Sequence, residues 1–270
     1  MQALSSQIIE KIISHIEIVI DRYLKKAEKR PLSNSGNPFI MALLKDFEPL
    51  IHRIHGMKTS MGNEMEKIAE IIAIEKWGIE NVQRKVNITV RLPKNVFSEI
   101  DKIINSLSNV ETLSDYQSEK SRVLFECGKP SAVYEEYIYE FDLIINDLKG
   151  NYFVLEMKGP DPNTTEVPGV KKRLLAALAW VYLNKSHNVD SRLCIYYNNK
   201  SPKPYKNPKV LNYFNPNGGL LIDSKFWNFI GKNENTYNEL INIFEEFGAK
   251  NKKRIWDSLS KLIVKGASNE

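Results

Sequence analysis

Apolar residues recur at three- and four-residue steps near the start of the chain: Ile8, Ile9, Ile12, Ile13, Ile16, Ile20 and Leu24 share one side of a helix. The run ends in the charged stretch KKAEKR, and Pro31 stops it. PLSNSGNPF follows as a polar connector rich in proline and glycine. A second helix is expected from Pro38 to His55. A third covers TSMGNEMEKIAEIIAIEKWG, with Ile68, Ile71, Ile72 and Trp77 on its apolar side and Gly78 as its stop. A fourth, in RLPKNVFSEIDKIINSLSN, opens on Pro93 as a first-turn residue.

From Tyr134 the period shortens to two. YIYEFDLII and NYFVLEM are rich in β-branched and aromatic residues and are separated by NDLKG, which predicts a β-hairpin. VKKRLLAALAWVYL returns to the helical period, and RLCIYY and GGLLI are short strands. Between them runs a long loop, residues 198–217, with four prolines and no acid. TYNELINIFEEFGAKNKKRIWDSLSKLIVKG closes the chain as one or two helices. No internal repeat or low-complexity tract interrupts this order. The pattern describes one α/β domain: a mainly helical part over 1–110, an α/β core over 134–225 and C-terminal helices over 226–270.

At 270 residues and 42% hydrophobic, the chain can bury a sizeable core. A net charge of +5 tolerates a polyanionic partner without demanding one. No window approaches the roughly 18 uninterrupted apolar residues of a membrane span, so no membrane partner is expected. MQALSSQIIEKIISH carries Glu10 and Lys11 inside its apolar stretch and lacks a small-residue cleavage site, so a cytoplasmic protein is expected. Cys127 and Cys194 lie in dissimilar contexts and read as reduced thiols. His15, His52, His55 and His187 are scattered, and no CxxC accompanies them, which argues against a zinc site.

The candidate chemistry lies in the hairpin. Successive side chains of a strand alternate faces, so Glu156 and Lys158 point the same way while Leu155 and Met157 face the core. Thirteen residues separate Asp142 from Glu156. A hairpin with a loop of roughly five residues folds that length back on itself and sets Asp142 beside Glu156. Two neighbouring carboxylates repel unless a cation lies between them. Hard divalent ions such as Mg²⁺ take oxygen ligands. An ammonium nearby can orient a metal-bound water or neutralise a phosphate. Two acids, a lysine and Mg²⁺ make a site suited to hydrolysing a phosphodiester. Two other acid-x-lysine triplets lack this setting. Asp147-Leu148-Lys149 falls in the expected turn, and Asp223-Ser224-Lys225 has no partner acid between Lys200 and Ile222.

Asp142 followed by Glu156-Met157-Lys158 resembles the PD-(D/E)XK motif of type II restriction endonucleases, with Phe141 where the motif's proline would stand. GNPFIMALL, SMGNEMEKIA and EMKGPDPN, in that order, resemble segments of the TdeIII-type enzymes. The resemblance implies a restriction-endonuclease-like fold, a central mixed β-sheet flanked by helices. It also implies Mg²⁺ held by Asp142, Glu156 and the Met157 carbonyl, with Lys158 serving the attacking water. It further implies a homodimer acting on a short palindrome in double-stranded DNA, 5′-phosphate and 3′-hydroxyl products, a G/C-rich target with an unspecified central base, and a cognate DNA methyltransferase as genetic partner.

Glu66 is the residue of the third helix that best matches a glutamate donated to the site in such enzymes; Glu64 and Glu70 are its neighbours, and the alternative is a solvated helix face. Lys171, Lys172 and Arg173 open the next helix, where the dipole disfavours cations and a phosphate would favour them; the alternative is a basic surface turn. Lys200, Lys203, Tyr205 and Lys206 lie in the proline-rich loop as candidate DNA contacts, against a plain solvated loop. Two rivals share these features: a repair or recombination nuclease of the same fold, and a non-catalytic DNA-binding protein.

Overall fold

The isoleucine stripe forms α1 (Ser6–Lys29), which buries Ile8, Ile12, Ile16, Ile20 and Leu24 and leaves Ile13 36% exposed at the edge of the stripe. The computed structural model describes residues 2–29, 48–109, 112–186 and 188–267. The connector after Pro31, the opening of the helix expected from Pro38, the segment GNPFIMALL and His187 lie outside the described residues. α2 (Glu48–Trp77) is one continuous helix where two had been expected. Gly56 and Gly62 lie within it, and an interior glycine costs a helix only about 1 kcal/mol, too little to force a break.

The chain divides into two compact units, residues Met1–Ile68 with Asn238–Glu270, and Ala69–Tyr237. The first is helical. In it the Glu239 carboxylate accepts from the main-chain N–H groups of Ala3 at 2.6 Å and Leu4 at 2.8 Å. Arg254 pairs with Asp21 at 2.8 Å and Arg22 with Glu64 at 3.1 Å.

The second unit holds a mixed five-stranded sheet in the order β1 (Val82–Pro93), β2 (Tyr134–Asn146), β3 (Tyr152–Lys158), β4 (Val189–Ile195), β5 (Leu220–Ile222). The first three strands are antiparallel neighbours; β3, β4 and β5 run parallel. β1 is a strand that was not expected within the mainly helical stretch over 1–110. Val82, Val86, Ile88, Val90 and Leu92 do alternate with polar residues, as an edge strand with one wet face requires. Between β1 and β2 lie α3 (Lys94–Leu107) and α4 (Tyr116–Cys127), the latter opened by Asp115, which caps the N–H groups of Gln117 and Ser118 at 3.1 and 3.3 Å.

The hairpin forms as expected. Its turn is held by Asp147, whose carboxylate accepts from the N–H groups of Lys149 and Asn151, both at 2.8 Å, and from the Asn151 amide at 2.6 Å. Gly150 completes it at φ +79°, a conformation side chains resist. α5 (Val167–Asn184) packs on one face of the sheet with α3 and α4, joining Ile144, Val154, Leu174 and Leu178 in the core. On the opposite face Phe153 meets Trp77 and Phe229 at ring-centroid distances of 5.6 and 5.1 Å. After β4 the long loop carries α6 (Pro208–Leu211); α7 (Ser224–Gly231) follows β5, and α8 (Thr236–Ala267) is a single helix. Both cysteines are buried thiols, and burial pushes Cys127 up to about 12, so neither is poised to react. Among the described residues no helix is long and apolar enough to cross a membrane.

Candidate active site

The paired register of β2 and β3 runs from Asn146↔Tyr152 to Leu143↔Leu155 and stops there. Asp142 and Glu156 are the next residues on each strand. Paired residues share a face, and both acids fall on the face of Ile144 and Val154, the side covered by α5. Where the ladder ends, the Asp142 carboxylate takes over: its Oδ2 accepts from the main-chain N–H of Met157 at 2.7 Å. Both acids are buried, Glu156 to 3% exposure.

Buried carboxylates require compensation. Glu156 Oε1 has two cations against it, Lys158 Nζ at 3.0 Å and Arg173 Nη2 at 2.6 Å. Lys158 also meets Glu166 Oε1 at 3.2 Å. Burial works against the charge on Lys158, but Glu156 foremost, then Asp142 and Glu166, hold its pKa above the usual lysine value, so it stays an ammonium. The expected convergence of Asp142, Glu156 and Lys158 is therefore present, with one difference. Glu156 does not emerge at the strand end; it is roofed by α5, and Lys158 alone reaches outward.

The basic triplet divides by helical phase. Lys171 is 1% exposed, paired with Glu119 of α4 and lying over the Phe214 ring at 4.9 Å. That corrects the expectation of a phosphate contact at Lys171: spaced with Val167, Leu174 and Leu178, it falls on the apolar face. Lys172 pairs with Asp101 at 2.6 Å. Arg173 is drawn into the site. Its pairing with Glu156, and Glu166 as the partner of Lys158, have no signal in the sequence beyond charge.

The proline-rich loop is fastened to the end of β3. Tyr205 is buried and donates to the Pro160 carbonyl at 2.7 Å, which corrects its reading as a DNA contact. Asn199 reaches Asp161 at 2.7 Å, and Asn207 reaches the Pro160 carbonyl at 3.2 Å. Lys200, Lys203 and Lys206 remain exposed on this anchored loop. Glu66 is half-buried on α2, in the compact unit that does not contain Asp142, Glu156 and Lys158. Of its neighbours, Glu64 pairs with Arg22 and Glu70 with Arg84 at 3.1 Å. The side chains of His52 and His55 lie outside the described residues.

Oxygen donors are what hard divalent ions take, and Asp142 and Glu156 supply them side by side. Among the described residues no group of three or more His, Cys, Asp or Glu side chains gathers around one point, so main-chain and water oxygens would complete any such shell.

Two comparisons bear on the site. The family described as "Type II restriction endonuclease, HinfI" matches residues 4–248. The type II restriction enzyme MjaII of Methanocaldococcus jannaschii is 23% identical over 291 residues, covering 95% of this chain and 75% of that protein. The match spans the helical N-terminus as well as the hairpin, and it decides against the repair-nuclease and non-catalytic rivals. The chain belongs to the HinfI family of type II restriction endonucleases and is a type II site-specific deoxyribonuclease whose partner is DNA.

Proposed function

We propose that the enzyme hydrolyses phosphodiester bonds at a short palindromic site, using Asp142, Glu156 and Lys158 as the reacting group of a PD-(D/E)XK nuclease. One observation carries the reading: β2 and β3 bring two buried carboxylates and an ammonium to one face at the point where their ladder ends. Asp142, Glu156 and the Met157 carbonyl would hold Mg²⁺. When bound, such an ion polarises the scissile phosphate and favours hydroxide over water. Lys158, kept charged by Glu156 and Glu166, orients the attacking water and offsets charge on the phosphate. In-line attack leaves 5′-phosphate and 3′-hydroxyl ends.

Lys200, Lys203 and Lys206 contact the DNA from the loop that Tyr205, Asn199 and Asn207 tie to Pro160 and Asp161. A palindromic target fits a homodimer in which each subunit cuts one strand, and host DNA then needs a cognate methyltransferase. The TdeIII-like segments support the same class and carry the expectation of a G/C-rich target. Glu66 rests on the resemblance alone. Digestion of plasmid DNA with Mg²⁺ tests the reading: discrete fragments, abolished by Glu156→Gln, are expected. Undiminished fragments from Glu156→Gln would remove the hairpin from the chemistry.

A further inference from the structure

Glu156 carries more cationic compensation than one carboxylate needs. Lys158 and Arg173 meet the same oxygen, at 3.0 and 2.6 Å. Lys158 has a second acid in Glu166 at 3.2 Å. Lys171 and Lys172, beside Arg173 in sequence, have acids of their own in Glu119 and Asp101. Arg173 alone of that triplet is tied to the catalytic strand.

Its guanidinium is only half used on that side. Nη2 and Nε form the edge that grips a carboxylate or phosphate with two parallel bonds. Nη2 is on Glu156, while Nε is buried and has no hydrogen-bond partner among the described residues. An unpaired buried donor is costly, and Glu156 as placed engages Nη2 alone. A phosphate, with oxygens about as far apart as the two nitrogens, serves both. The side chain is 28% exposed, so it has solvent on one side into which to turn.

With Lys158 and Arg173 both on Oε1, a divalent cation arriving at Glu156 would face two positive charges at close range, and like charges repel strongly where water is scarce. We propose that Arg173 is an exchangeable counter-ion: it holds Glu156 in the metal-free chain, releases it when a divalent cation binds, and grips a DNA phosphate through Nε and Nη2. The inference rests on the reading of Asp142 and Glu156 as metal-binding. It makes Arg173 oppose metal binding in the free protein and assist DNA binding in the metal-loaded one, two effects of opposite sign from one side chain.

Calorimetric titration of the full chain with Mn²⁺, without DNA, reads the first effect. Arg173→Gln is expected to bind Mn²⁺ about tenfold more tightly than wild type, with Arg173→Lys between them. Fluorescence anisotropy on duplex DNA with Ca²⁺ reads the second. Arg173→Gln is expected to lose about tenfold in affinity, and Arg173→Lys to recover part of it. Glu156→Gln separates the layers. If it abolishes Mn²⁺ binding while Arg173→Gln leaves it unchanged, Arg173 is a plain structural partner and the metal reading stands. If Glu156→Gln binds Mn²⁺ as wild type does, the metal reading fails and takes the exchange with it. Should Arg173→Gln lose its cooperative melt, Arg173→Lys decides: Mn²⁺ affinity no higher than wild type overturns the proposal.

Discussion

The main-chain N–H of Met157 donates to Oδ2 of Asp142 across 2.7 Å, so the first acid of the site is fixed by the strand that carries the second. The bond replaces a rung of the ladder where the β2–β3 pairing stops, and it gives Asp142 a structural duty beside the chemical one proposed for it. The two duties separate by substitution. Asp142→Asn keeps an oxygen acceptor for Met157 and should retain a near-native melt while losing cleavage. Asp142→Ala strands the N–H and should cost about 1–3 kcal/mol as well. Thermal melts alongside plasmid digestion check both; cleavage by Asp142→Asn at the wild-type rate would contradict the assigned role.

Lys158 is less buried than Glu156 and lies at the outward end of the group. Lys158→Ala should lower cleavage by about 10²–10⁴-fold, the range for losing a positioned proton-handling group. Binding to duplex DNA in Ca²⁺ should survive. Single-turnover cleavage and anisotropy are the two measurements, and unimpaired cutting would exclude Lys158 from the reaction.

The buried and exposed lysines should behave oppositely. Lys171→Ala leaves Glu119 buried beneath α5 with the Ser114 hydroxyl but no cation against it, and should destabilise the protein by about 3–5 kcal/mol. Lys203→Ala should leave stability unchanged, weaken DNA binding across sequences, and reduce the salt slope by about one. Denaturant melts and anisotropy at several salt concentrations distinguish the two.

The turn between β2 and β3 offers a pH test away from the site. Slight burial would raise the Asp147 pKa, but hydrogen bonds from Asn151 and Lys149 bring it below the ordinary 3.8. A carboxylate depressed in the folded state stabilises fully above its unfolded pKa, and that contribution is lost as pH falls through the folded value. Asp147→Ala should therefore be less stable than wild type at neutral pH, and the difference should shrink as pH falls well below 3.8. Urea melts across that range read it directly; a gap that persists in acid would assign the effect to something other than the carboxylate.

Where structure is local, the chain declares it. The spacing of Ile8, Ile12, Ile16 and Ile20 is a helix face whatever packs on it, and NDLKG between two period-two runs is a hairpin whose register follows from its turn. That register brought Asp142 to Glu156, because a strand's alternation and a turn's length are properties of neighbouring residues. β1 was equally local in its alternation at Val86, Ile88, Val90 and Leu92, but helical signals on both sides obscured it. Lys171 could have been placed by its phase with Leu174 and Leu178, had helix position been weighed above charge.

Other assignments needed the fold. Arg173 on Glu156, Glu119 beneath Lys171, and Tyr205 on Pro160 join residues 17, 52 and 45 positions apart. Local periodicity cannot choose among the chain's 38 basic residues and 33 acids for such pairs. The sequence by itself determined that β2 and β3 meet and which two acids they carry, since hairpin pairing and side-chain alternation are short-range. Only the tertiary structure decided which cations those acids keep, because a charge's partner is chosen by distance and burial, and both are set by how α5 closes over the sheet.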